Sequence, residues 1–226
     1  MNDASVLIYS CDKYSDVWGP FFTLFFRYWD CPYLVYVTAE SEQCLLPDVK
    51  TINTQGSWTQ RIRQAVESIP TEYIIGMCED MFFRRPVIQN TISVCMTFMN
   101  NNPNIGAFNF EKEYDLHDES QYPSFGLKSP ESEYIKTCQP TLWRKSVLLD
   151  LLNMDCDAWM WECSTTDDPH EFYVWTGPEE NLVFEYGYHN REWFGLHNGK
   201  WVADDVGPLF EKENIKVDLS VRGAEQ

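Results

Sequence analysis

The chain has 226 residues, 44% hydrophobic and 15% aromatic, which is enough for a large core and too apolar for a disordered segment. Its 17 basic residues stand against 35 acidic ones, a net charge of −18. That balance repels nucleic-acid phosphates and anionic lipid headgroups, so no nucleic-acid partner is expected. A phosphorylated ligand would need a local cation, either a metal or one of the few arginines.

Read in chain order, Ser5 to Ser10 is a short β-rich run ending in Cys11-Asp12. Ser15 or Asp16 is placed to cap a helix with Pro20 in its first turns, carrying Phe21, Leu24, Phe25 and Tyr28 at helical spacing. Tyr33 to Thr38 reads as a second strand and Val49 to Asn53 as a third, followed by a turn at Thr54-Gln55-Gly56. Ser57 then caps a helix from Trp58 to Ile69, stopped by Pro70.

The next run, Tyr73 to Cys78, has the length and composition of a buried strand and breaks at Glu79-Asp80 before Met81-Phe82-Phe83. Two adjacent carboxylates do not belong inside such a strand, because burying unpaired charge is costly. They are expected at its carboxyl end, where open α/β sheets collect ligands. A carboxylate pair there suits Mg²⁺ or Mn²⁺, hard cations that take oxygen ligands. The alternative is a solvated turn bearing two surface acids.

Pro86 is expected to open a helix reaching about Asn101, and Ile105 to Phe110 to form another strand. The alternation implies an α/β fold with a mostly parallel sheet and helices on both faces. The first turn, Ser10-Cys11-Asp12-Lys13, lacks the glycine-rich dinucleotide fingerprint, which disfavours a nicotinamide dehydrogenase. Residues 111 to 132 are polar and punctuated by Pro123, Gly126 and Pro130, as in a long loop near a site.

Six of the nine tryptophans follow residue 140, among them Trp143, Trp159 and Trp161. Flat aromatic faces beside carboxylates grip sugar rings, so these three are candidate acceptor-binding residues, with a core role as the alternative. The eight cysteines form no CxxC pair, which argues against zinc. With no signal-like N-terminus and no apolar run near 18 residues, neither export nor a membrane span is expected, and a reducing cytoplasm is the simplest setting.

Several segments, in this order, resemble bacterial glycosyltransferases of the GT-A nucleotide-sugar-binding fold that build capsular or lipopolysaccharide glycans. They are Ser10 to Tyr14, Asp16-Val17-Trp18, Pro20-Phe21-Phe22, Tyr28-Trp29, Trp58 with Arg61, Tyr73 through Phe82, Leu142-Trp143-Arg144, Trp159 to Glu162, and Gly199-Lys200-Trp201. The likeness spans most of residues 5–205 and implies a single glycosyltransferase domain over 1–226. Residues 1–110 would form its nucleotide-sugar-binding half and 111–226 an aromatic-rich acceptor-binding half.

The resemblance implies a UDP- or GDP-sugar donor and a glycan acceptor, with Glu79 and Asp80 as the acidic metal motif and Asp80 the direct ligand. The motif departs from the usual Asp-x-Asp. The turn from Ser10 through Asp12 to Tyr14 would receive the nucleoside, and Arg61 the diphosphate as a bidentate donor; the alternative for Arg61 is a surface helix arginine. His189 and His197, in an aromatic C-terminal region, would be candidates to touch the diphosphate or metal, as a late histidine does in some of these enzymes; the alternative for each is a structural or surface histidine.

The chemistry can also be built from the residues. The leaving diphosphate needs its charge neutralised, and an inverting enzyme needs a carboxylate base against the acceptor hydroxyl. Glu162, beside Trp159 and Trp161, is the candidate base, with Asp157 and Asp167-Asp168 as rivals. A sugar-nucleotide nucleotidyltransferase and a non-catalytic carbohydrate-binding module are the competing classes.

Overall fold

A computed structural model of the chain describes residues 3–112, 117–132, 134–187 and 195–225. The elements of the first half are β1 (Ala4–Tyr9), α1 (Trp18–Tyr28), β2 (Leu34–Ala39), β3 (Val49–Asn53), α2 (Trp58–Ser68), β4 (Tyr73–Cys78), α3 (Gln89–Asn101) and β5 (Ile105–Lys112). Next come β6 (His117–Glu119), β7 (Phe125–Lys128), β8 (Thr141–Arg144), α4 (Lys145–Leu151), α5 (Ala158–Cys163) and β9 (Glu171–Trp175). The chain closes with β10 (Leu196–His197), β11 (Lys200–Val202), α6 (Ala203–Lys212) and β12 (Ala224–Glu225).

The central sheet has the order β3-β2-β1-β4-β8-β5-β9-β7-β6, in which β7 and β8 run against the other strands. It is an α/β fold with a mostly one-directional sheet between helices. Strand alternation sorts the apolar residues onto its two faces. Val6, Ile8, Ile75 and Met77 join the core under α1, α3 and α6. Leu7, Tyr9 and Ile74 join the core under α2, α4 and α5.

Register places the candidate site. Tyr9 lies opposite Cys78 in the parallel β1–β4 pair, so Ser10 and Glu79 leave the sheet side by side. Because β8 is antiparallel and pairs Thr141 with Gly76, the segment entering it, Thr137 to Pro140, arrives at that same end. Gly76 is required by close approach: a Cβ there would sit 1.9 Å from the Tyr9 hydroxyl.

Several boundaries differ from the sequence reading. Neither Ser15 nor Asp16 caps α1; residues Asp12–Val17 form a 3-10 turn and the α-helix begins at Trp18. The Asp12 and Asp16 carboxylates are occupied by tertiary partners instead. Ser57 does cap α2, in a capping box with Gln60.

Pro86 does not open α3, which starts at Gln89. The backbone N–H groups of Arg84, Val87 and Ile88 donate to Glu185, Tyr28 and Val183, which holds the segment extended. The polar stretch after residue 110 is not simply a loop. It contributes the β6–β7 hairpin, with Phe125 packed edge-on against Trp175 and Phe108.

Candidate functional site

Ser10 ends β1 and is held from several sides. Its N–H donates to Thr38 Oγ1 at 2.8 Å, and that hydroxyl donates back to the Ser10 carbonyl at 2.8 Å. Its own Oγ accepts from Trp18 Nε1 at 2.8 Å and donates to Glu79 Oε1 at 3.0 Å. Glu79 is thereby fixed, buried, at the end of β4. Burial, then the charge of Asp80, pushes its carboxyl up to about 8. The half-buried Asp80 beside it is pushed up to about 7, by burial first and by the charge of Glu162 as well.

Glu162 reaches this end of the sheet from α5. Its Oε1 accepts from the Cys138 backbone N–H at 2.6 Å, in the segment that enters β8. Burial raises its pKa, while hydrogen bonds from Cys138 and Thr137 and the charge of Lys128 work the other way. Three carboxyl groups are therefore drawn together by two elements, Glu79 and Asp80 at the end of β4 and Glu162 on α5, with Asp80 close enough to couple electrostatically to each of the other two.

Asp157 caps α5, accepting from the Met160 N–H at 2.8 Å. Asp168 accepts a 2.7 Å bond from His170 Nδ1 just before β9. That is the opposite end of the sheet, since β9 runs parallel to β5. Asp168 is therefore not placed for base chemistry beside Asp80, and one oxygen of the Asp157 carboxylate is committed to the helix cap.

Other expected contacts are corrected. Arg61 is not available to a diphosphate: it is buried, with Nη2 donating to the Ser10 carbonyl at 2.5 Å and Nη1 pairing with Glu40 Oε1 at 2.8 Å. It supports the β1 end from inside. Trp143 and Trp161 are core residues, both at 0% exposure, in contact with each other and with α2 and α4. They are not acceptor platforms; Trp161 Nε1 donates to the Leu151 carbonyl. Helical geometry explains the split, since Trp159 and Glu162, three apart, share one face while Trp161 turns inward.

Trp159 is 65% exposed, with the Tyr134 ring 6.1 Å away. Asp12 lies at the predicted turn, but its carboxylate is bound internally. It accepts from the N–H groups of Glu40, Ser41 and Glu42 and from Ser41 Oγ, which holds it ionised well below the usual carboxylate range. Tyr14 is half-buried, and burial and the charges of Glu79 and Asp80 raise its hydroxyl pKa. His197 sits in β10. His189 lies outside the described residues.

Two participants were missed. Glu40, just past β2, joins Arg61 to Asp12 by accepting from the Asp12 N–H at 2.7 Å; the carboxyl-end rule applied to that strand would have found it. Arg222, far along the chain, lies 4.5 Å over the Tyr14 ring and has no signal in its surrounding sequence.

A divalent cation would find an all-oxygen donor set in Glu79 and Asp80, the chemistry a hard cation takes. Among the described residues, no group of three His, Cys, Asp or Glu side chains forms a ready-made metal cluster. The remaining ligands would be substrate oxygens or water, as is usual for Mg²⁺.

No protein-family model and no curated protein matches the chain. Solved structures do. The bifunctional IspDF of Campylobacter jejuni aligns over 81% of this chain and 52% of its own, at 11% identity and a TM-score of 0.48. A Pyrobaculum calidifontis mannosyltransferase in complex with GDP-Man and Mn²⁺ aligns over 83% and 58%, at 11% identity and 0.48. TarS of S. aureus, residues 1–349, aligns over 79% and 61%, at 12% identity and 0.45. The chain thus spans little more than half of each of these longer chains.

Proposed function

We propose that the chain is a glycosyltransferase that moves a sugar from a nucleoside-diphosphate donor to a hydroxyl of a glycan. The observation that carries this reading is the convergence of Glu79, Asp80 and Glu162 at the carboxyl ends of β1 and β4, beside an exposed Trp159.

Each group has a task. Glu79 and Asp80 would hold Mn²⁺ or Mg²⁺, which when bound neutralises the charge of the leaving diphosphate. The turn through Ser10 and Tyr14 receives the nucleoside at the switch between β1 and β4. Glu162 takes the proton of the acceptor hydroxyl as that oxygen bonds to the anomeric carbon. The bond from the anomeric carbon to the diphosphate oxygen breaks, and the nucleoside diphosphate leaves with the electron pair. Burial suits Glu162 to this step, because a carboxylate whose pKa is raised is a stronger base. Trp159 and Tyr134 offer faces for the acceptor sugar.

The capsular or lipopolysaccharide setting is supported by the sequence resemblance alone. No helix among the described residues is long and apolar enough to cross a membrane.

Thermal shift with UDP and GDP, with and without Mn²⁺, followed by a screen of nucleotide sugars for metal-dependent release of nucleoside diphosphate, tests the reading. Stabilisation by one nucleotide plus metal, and release from its sugar conjugate, are expected. Pyrophosphate release from a nucleoside triphosphate and a sugar phosphate would make it a nucleotidyltransferase. Stabilisation by glycan alone would make it a binding module.

A further inference from the structure

The small sheet β10-β11-β12 is fastened to both turns of the candidate site. On one side Gly195, just before β10, presses on the end of β4: with φ at +61°, its Cβ position lies 2.2 Å from the Asp80 carbonyl oxygen. On the other side Arg222, just before β12, spans the turn after β1. Its Nε donates to Asp16 Oδ2 at 2.7 Å, and Nη2 donates to Asp16 Oδ1 and to the Lys13 carbonyl. Nη1 donates to the Gly199 carbonyl at 3.2 Å, and the guanidinium plane covers Tyr14 at 4.5 Å.

The arginine side chain is 7% exposed although its partner Asp16 is 41% exposed, so the contact is packed and not a loose surface pair. Asn198 and Gly199, both in the left-handed region, turn the β10–β11 hairpin beside the turn after β1: a Cβ at Gly199 would lie 3.6 Å from the Tyr14 hydroxyl and 3.9 Å from Lys13 Nζ. The positive charge of Arg222 also favours the ionised forms of Glu79 and Tyr14, against the burial that raises both.

We propose that Arg222 is the positioning residue for nucleotide binding: it locks the 12–17 turn and the 195–202 hairpin into one donor-binding wall through Asp16 and Tyr14. The inference rests on the nucleotide-sugar reading above. Each of its three side-chain nitrogens donates to a protein group, so Arg222 acts through its neighbours. A lysine in its place keeps the charge but cannot make the bidentate, stacked contact.

The test is calorimetric titration of UDP and of GDP in Mn²⁺ into the full chain and into Arg222→Ala, Arg222→Lys, Tyr14→Ala, Tyr14→Phe and the Arg222→Ala/Tyr14→Ala double variant, with each melting temperature read alongside. For the nucleotide that binds, Arg222→Ala and Arg222→Lys are both expected to weaken affinity about tenfold, the scale of one charge-assisted, stacked contact. Tyr14→Phe, which keeps the ring that Arg222 covers, is expected to lose less affinity than Tyr14→Ala. The double variant is no weaker than the poorer single one, because both break the same wall. Affinity within twofold of the parent in Arg222→Ala, rescue by lysine, or independent multiplying losses in the double variant would each overturn the assignment while leaving the nucleotide reading standing. Failure of the parent chain to bind either nucleotide would end both. A melting temperature lowered in Arg222→Ala without loss of affinity at a temperature where it is folded makes the residue a structural clasp only, and overturns the proposal.

Discussion

Ser10 and Glu79, 69 residues apart in the chain, meet at 3.0 Å, the serine hydroxyl donating to a buried carboxyl oxygen. The same hydroxyl accepts from Trp18 Nε1. One side chain thus ties the ends of β1 and β4 to the start of α1, and it turns Glu79 inward while Asp80 keeps access to solvent. The two acids differ in burial for that reason, and the first prediction follows from the difference.

Asp80→Asn should remove metal-linked nucleotide binding and lower turnover sharply with the fold intact, since one charged ligand and its stabilisation of the leaving group are lost. Titrations with and without Mn²⁺ check this. Activity near the parent level in Mn²⁺ would reduce the acidic pair to a turn.

Glu162→Gln should reduce sugar transfer by about 10²–10⁴ and leave nucleotide affinity nearly unchanged, because the amide keeps the shape and cannot take up a proton. A loss of nucleotide affinity with turnover preserved would move Glu162 to the donor side.

The raised carboxyl pKa values carry a stability signature. Glu79 at about 8 and Asp80 at about 7 hold protons in the folded state that an unfolded chain releases near pH 4. Between about pH 4 and pH 8 the unfolded state therefore binds fewer protons, and stability falls as pH rises through that window. The metal-free chain should melt lower at pH 8 than at pH 5 through these groups. Asp80→Asn should flatten the slope and melt several degrees higher than the parent at pH 8, at about 2–4 °C per kcal/mol for a chain of this size. Metal should bind more tightly as the pH rises, since the ligands must be deprotonated. An unchanged slope in the variant would mean that Asp80 titrates alike in both states.

Arg61→Ala should destabilise the fold by about 3 kcal/mol, near the lower end of the cost of breaking a buried ion pair, because Glu40 keeps 35% side-chain exposure. Denaturant melts measure it. A variant of full stability with weakened nucleotide binding would restore Arg61 to the diphosphate.

Trp159→Ala should leave the melting temperature unchanged and raise KM for the acceptor, whereas Trp161→Ala should cost about 3–5 kcal/mol of stability through a core cavity. Parallel melts and acceptor titrations separate the two. Equal loss of stability in both would place Trp159 in the core network.

The local pattern of the chain determined much of the fold. The runs around β1, β2, β4 and β5 and the Ser57 cap are short-range features, read from composition and spacing within a few residues. The acidic pair was legible for the same reason: two carboxylates cannot continue a buried apolar strand, so their place at its end follows from desolvation cost alone. Tertiary structure decided the rest. Helical spacing brought Trp159, Trp161 and Glu162 onto one short helix, but only the packing of α5 against α2 and α4 chose which faced the core. Arg61 reads as a diphosphate donor or a surface cation until the Ser10 carbonyl and Glu40, from the ends of other strands, close around it. Arg222 reaches back 206 residues to Asp16, and no local pattern encodes a partner at that separation. Its place depends on β12 pairing with β11, a long-range contact that exists only once the chain is folded.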